Sequence, residues 1–158
     1  MNAFTYFQSP IGRLLLTTDG TALTGLFMEP FRKAQATDGW AEDISVGPLG
    51  SAVRQLEEYF AGTRREFDLP LRSQGTPFQT RVWRELVEIP YGQTWSYGEL
   101  AQRIDKPSAS RAVGLANGRN PISIVVPCHR VIGADGSLTG YGGGLERKRW
   151  LLAHEGLH

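Results

Sequence analysis

The 158-residue chain has one cysteine, three histidines, no long apolar run and a formal net charge of only +1. One cysteine forms no internal disulfide and cannot supply a multi-cysteine zinc cage. With His129, His154 and His158 as the whole histidine complement, no cysteine- or histidine-rich metal cluster can be assembled; the expectation is of a protein that requires neither metal nor organic cofactor. The longest wholly apolar runs are a few residues, as at Ile124-Val125-Val126, far too short to cross a bilayer. Met1-Asn2-Ala3-Phe4 lacks a basic region followed by an apolar stretch, so no secretory signal is visible. A free thiol in an unexported chain fits a reducing compartment, and the expected location is the cytoplasm. The near-neutral charge excludes a protein that grips nucleic acid by charge alone.

The charge is unevenly divided. Residues 1–75 carry seven Arg/Lys and nine Asp/Glu, whereas residues 76–158 carry ten and seven. The C-terminal half is therefore the side suited to approach phosphates. Hydrophobic residues at 41% and charged residues at 21% are ordinary for a globular chain.

The N-terminal part reads as a β-meander. Phe4–Phe7 and Leu14–Thr18 flank a Ser9-Pro10-Ile11-Gly12 turn, and Asp19-Gly20 leads into Ala22–Phe27. Residues 30–49 show no assignable period. From Ser51 to Ala61, Val53, Leu56, Tyr59 and Phe60 recur at three- and four-residue steps, which predicts a helix. Asp68 to Gly75 reads as a connector. Thr76-Pro77 then starts a helix with Thr as N-cap, its stripe being Phe78, Val82, Leu86 and Val87. Ser96, with Glu99 three residues on, caps a short helix Tyr97–Ile104. Asp105-Lys106-Pro107 breaks it, and Ser108 is placed to cap a helix Ala109–Asn117. Two short helices joined by a tight turn form a helix-turn-helix-like pair. The second carries the small residues Ala109, Ser110, Ala112, Gly114 and Ala116 around Arg111, so its backbone can approach a neighbouring helix or a DNA groove wall. A small-residue face suits the narrow minor groove, about 6 Å wide. Ile122–Val126 predicts a short buried strand that delivers Cys128.

A lone cysteine is most often a small buried hydrophobe. Cys128 differs because His129 and Arg130 follow at once, and because a glycine-rich segment, Gly140 to Gly144, lies close behind. Positive or polarisable neighbours favour the thiolate, the nucleophilic form. If the two residues sit on a strand, Cys128 and His129 face opposite sides, and a bend or a bridging water must join them.

Pro127-Cys128-His129-Arg130-Val131 resembles the active-site signature of the O6-alkylguanine-DNA alkyltransferases. The likeness extends through Arg111-Ala112-Val113-Gly114, Asn120-Pro121, Tyr141 with its glycines, and Leu151-Leu152-Ala153-His154-Glu155-Gly156. It is clear from about Thr76 to Gly156; the N-terminal half is compatible but diagnoses little. The resemblance implies direct-reversal DNA repair, in which an alkyl group passes irreversibly from O6-alkylguanine, and from O4-alkylthymine, to Cys128. It implies His129 as a base acting through a water, Glu155 as its orienter, Asn120 as a brace for the turn, and Tyr97 as a donor to the guanine ring. The carbonyls of Cys128 and Val131 would read the exocyclic amine, the Gly142 N–H would face O6, and Tyr141 would line the pocket. Arg111 would fill the place of the extruded nucleotide, with Ala109, Ser110, Ala112 and Gly114 as the minor-groove face.

The resemblance also implies duplex DNA as partner, bound by a monomer, with assembly of several copies along DNA left open. The thioether product does not hydrolyse and no second cysteine relays it, so each molecule should act once. The small Gly142 implies tolerance of bulkier alkyl groups. Two rivals remain at this stage: a lesion-binding protein without transferase activity, and a turning-over cysteine hydrolase. The expected architecture is α/β (α+β), with an N-terminal β-containing structural subdomain and connector over 1–75. A mostly helical C-terminal domain for DNA binding and alkyl transfer follows over 76–158.

Overall fold

The computed structural model describes residues 1–32 and 35–157; His158 lies outside them. The architecture is α+β, in two compact units, Met1–Ser73 and Gln74–His158.

In the first unit, β1 (Ala3–Ser9), β2 (Gly12–Thr18) and β3 (Leu23–Met28) form the antiparallel meander, and β4 (Ala41–Glu42) adds in parallel to β1. The sheet order is β3-β2-β1-β4. Central β2 is buried without alternation from Leu14 to Thr18, as expected of a strand covered on both faces. Helix α1 (Leu49–Phe60) packs beside β1 and β2 and buries Leu49, Ala52, Leu56 and Tyr59. Phe60 stacks on Phe7 of β1. Gln55 is also buried on α1, and both ends of its amide bond the backbone of Asp68, at 2.9 and 2.8 Å. That pair ties down the connector, whose Leu71 bridges to Leu23 at the sheet edge.

In the second unit, α2 (Pro77–Leu86) begins with Thr76 and Gln79 in a reciprocal capping box, and α3 (Tyr97–Arg103) does so with Ser96 and Glu99. The remaining elements are β5 (Trp95–Ser96), α4 (Ser110–Gly118), β6 (Val131–Ile132) and α5 (Leu145–His154). β5 and β6 pair in parallel. α2, α3 and α4 pack on one another, and the Trp83 indole N–H donates to the Ala116 carbonyl at 2.8 Å. The α3–α4 pair is the helix-turn-helix-like unit, with Asp105 at φ 59 in its turn.

Four expectations are corrected. β4 lies in the stretch that showed no period, because two residues are too few to display one. On α2 the stripe uses buried Trp83, whereas Val87 falls beyond the helix and is 49% exposed. α4 starts at Ser110 with Ala109 as N-cap and no side-chain cap, so Ser108 does not fill that role. Residues 122–126 form a buried turn, not a strand.

Candidate active site

The turn before Cys128 is held by Asn120. Its Oδ1 accepts from the Ile122 N–H at 3.0 Å, and its Nδ2 donates to the Val126 carbonyl at 2.8 Å. These bonds replace the ladder that a strand would have supplied. They also hold Ile124 at φ 71, a left-handed conformation costly for a β-branched residue. The chain then enters a 3₁₀ turn, Cys128–Arg130, in which all three side chains are buried. The turn supplies the bend between Cys128 and His129 that a strand would have lacked.

His129 Nε2 lies 2.8 Å from Glu155 Oε2. Arg130 grips the same carboxylate through Nε at 2.7 Å and Nη2 at 3.0 Å, and its Nη1 donates to the Ile89 carbonyl at 2.7 Å. Glu155 caps the C-terminus of α5, where the helix dipole disfavours an anion, so these partners are what make a buried carboxylate tolerable there. Hydrogen bonds from His129 and Arg130 outweigh burial and hold Glu155 well below the usual carboxylate range. Burial lowers the His129 pKa, against the pull of Glu155, so the imidazole is neutral near pH 7. A neutral ring facing an ionised carboxylate carries its proton on Nε2. Nδ1, buried and without a hydrogen-bond partner among the described residues, is then the basic atom.

Lys148 of α5 is fully buried, with Nζ donating to the carbonyls of Val131 at 2.6 Å and Thr139 at 2.8 Å. Burial brings its pKa down to about 8, while Cys128 pulls it upward. Burial pushes the Cys128 thiol up, and a hydrogen bond from Asn120 and the Lys148 charge pull it down. The charge that acts on the sulfur is that of Lys148, while Arg130 is committed to Glu155 and the Ile89 carbonyl. Burial prevails and the resting sulfur is held as the thiol, so forming the thiolate requires a base to take its proton.

His129, Glu155 and Arg130 thus form one set of contacts, and Asn120, Cys128, Lys148 and Val131 form a second. Tyr97 reaches the edge of the second, donating its hydroxyl to the Thr139 carbonyl at 3.0 Å. Tyr141 is half-buried, and its hydroxyl is kept protonated by burial and by Cys128. Gly142 is exposed. Arg111 and Ala112 stand apart on the exposed face of α4, with Ala109, Ser110 and Gly114 half-buried. A Cβ at position 114 would lie in ordinary van der Waals contact with the Tyr97 ring, at 3.6 Å. Lys148, the Arg130–Glu155 clasp, and Asn117, whose Nδ2 donates to the Cys128 carbonyl at 3.3 Å, were not foreseen. Leu115, 64% exposed beside Arg111 and Ala112, was also missed. Among the described residues no cluster of three or more His, Cys, Asp or Glu is placed to hold a metal ion. No helix among the described residues is long and apolar enough to cross a membrane.

Residues 77–157 match the family model described as the 6-O-methylguanine DNA methyltransferase DNA-binding domain, and residues 2–73 match that family's ribonuclease-like domain. The chain belongs to the O6-methylguanine-DNA methyltransferase family. It is 56% identical to a methylated-DNA–protein-cysteine methyltransferase of Mycolicibacterium paratuberculosis over 96% of this chain and 90% of that protein. It is 53% identical to the corresponding enzyme of Methanosarcina acetivorans over 97% of each. A crystal structure of the Mycobacterium tuberculosis O6-methylguanine methyltransferase superposes with a TM-score of 0.89 at 54% identity, covering 98% of this chain and 93% of that one. Another, of the Mycobacterium tuberculosis protein in complex with DNA, has a TM-score of 0.88 at 52% identity, covering 97% and 92%. This chain is thus a methyltransferase enzyme acting in DNA repair by alkyl transfer, and the buried Cys128 network is its candidate centre.

Proposed function

We propose that this methyltransferase binds duplex DNA, extrudes an O6-alkylguanine, and takes the alkyl group onto Cys128 once per molecule. The observation that carries the reading is the lone buried thiol, bonded to Asn120 and under the charge of Lys148, followed in the chain by a neutral imidazole whose buried Nδ1 has no hydrogen-bond partner among the described residues. The thiol proton leaves toward His129 Nδ1 through a bridging water. Sulfur attacks the alkyl carbon, the S–C bond forms, and the C–O6 electron pair returns to the guanine ring. The ring must take up a proton to leave as a neutral base, and Tyr97 is the donor at hand. Its hydroxyl has only to leave the Thr139 carbonyl, which Lys148 continues to satisfy. The carbonyls of Cys128 and Val131 meet the exocyclic amine, the Gly142 N–H meets O6, and Tyr141 lines the pocket. O4-alkylthymine presents an alkyl group on the same kind of oxygen and is proposed as a second substrate. The thioether is stable to water, so the protein is consumed.

An alkyl group inside a stacked duplex is out of reach of a buried sulfur, and extruding the nucleotide costs a few kcal/mol. Exposed Arg111 is proposed to occupy the vacated stack, with Ala109, Ser110, Ala112 and Gly114 against the minor groove. Cys128→Ala is expected to retain lesion binding in a gel-shift assay and lose all transfer. Loss of binding together with transfer would instead mark the cysteine as structural. Arg111→Ala is expected to slow transfer from duplex DNA by about tenfold, corresponding to about 1.4 kcal/mol of lost extrusion support. The single-turnover rate measures it, and an unchanged rate would remove Arg111 from that role.

A further inference from the structure

Asn117 sits in the last turn of α4, 1% exposed, and no part of the repair chemistry above uses it. Its Nδ2 donates to the Cys128 carbonyl, which also accepts from the Val131 N–H. At 3.3 Å the amide bond is long, so the carbonyl can be shared with an arriving donor. Asn117 Oδ1 is buried with no hydrogen-bond partner among the described residues. An unpaired buried acceptor costs stability, so an apolar residue would serve the fold better there. The same helix carries Arg111 on its exposed face, so Asn117 ties the backbone of the nucleophile to the element proposed to face DNA.

We infer that Asn117 is a positioning residue for base selection: it anchors the Cys128 carbonyl to α4 and so sets where that carbonyl meets the exocyclic amine of the alkylated base. The inference rests on the proposed reading of the amine by that carbonyl.

The test compares Asn117→Leu and Asn117→Ala with the unaltered protein in single-turnover transfer from two duplexes. One carries O6-methylguanine; the other carries O6-methylhypoxanthine, which lacks the exocyclic amine. Both variants should transfer from O6-methylguanine about tenfold more slowly, with O6-methylhypoxanthine changed by no more than about twofold. The urea midpoint of Asn117→Leu should be unchanged or raised. Equal slowing on both duplexes would reduce Asn117 to a general structural role, and no slowing on either would remove it from positioning; either result overturns the inference. An unaltered protein that treats both duplexes alike would overturn the reading of the amine, and the inference with it. One that takes methyl from neither would sink the proposed function itself.

Discussion

Glu155→Ala is expected to lower stability by about 3–5 kcal/mol in a urea melt, because it strips the partner from a buried guanidinium and leaves an imidazole N–H unpaired. Arg130 cannot turn to solvent while its Nη1 is fixed to the Ile89 carbonyl, so the loss is not relieved by a simple rotamer change. Glu155→Gln keeps the shape and removes the charge, and separates two consequences. The first is catalytic: without the anion, nothing selects the Nε2–H tautomer of His129, and transfer should fall. The second concerns acid stability. Glu155 has a folded-state pKa below its ordinary 4.5, so its contribution is present above that value and is lost as pH falls beneath it. The melt of the unaltered protein should therefore weaken from about pH 4.5 downward, and Glu155→Gln should weaken less over the same window. A cost for Glu155→Ala under about 1 kcal/mol would contradict a buried clasp.

Lys148→Met is expected to slow transfer at neutral pH by about a hundredfold, since it removes a cation beside the sulfur and the donor holding the Val131 and Thr139 carbonyls. Methionine preserves most of the volume, so the fold should survive. The pH profile gives the sharper reading. Lys148 titrates at about 8, so its charge is present below that value and fades above it. Transfer by the unaltered protein should therefore stop rising, and then fall, as pH passes about 8. Lys148→Met should show no decline there. A decline that persists in the variant would assign the limb to another group. The same depressed pKa means that the unfolded chain binds more protons between about 8 and the ordinary 10.5, so this residue's share of stability rises with pH across that window.

The first-unit meander was legible because the turns that bound its strands are local signals, and the Ser96–Glu99 capping box was legible for the same reason. What failed was non-local. Ile122, Ile124, Val125 and Val126 are all buried, and burial alone does not distinguish a strand from a turn closed by a side chain. Only the Asn120 bonds decide it. β4 owes its existence to pairing with β1, and Trp83 replaces Val87 because α2 ends one residue before Val87. Within the site, Cys128, His129, Asn120 and Glu155 were named from family likeness; His129 is paired with Glu155, and Asn120 with Cys128. Lys148 lay unnoticed because a lysine in a charged helix segment, Glu146 to Arg149, ordinarily reads as a solvated face. Asn117 looked like a helix terminator. Its bond to a residue eleven positions on is visible only once the chain has folded.

The most direct test of the central claim is the intact mass of the protein after incubation with an equimolar duplex bearing one O6-methylguanine. A gain of about 14 Da, located on Cys128 and reaching a 1:1 end point, is the result predicted for a thiolate that accepts a methyl group once. An unchanged mass with the lesion intact would contradict transfer and leave a binding role; loss of the lesion without added mass would indicate a turning-over hydrolase.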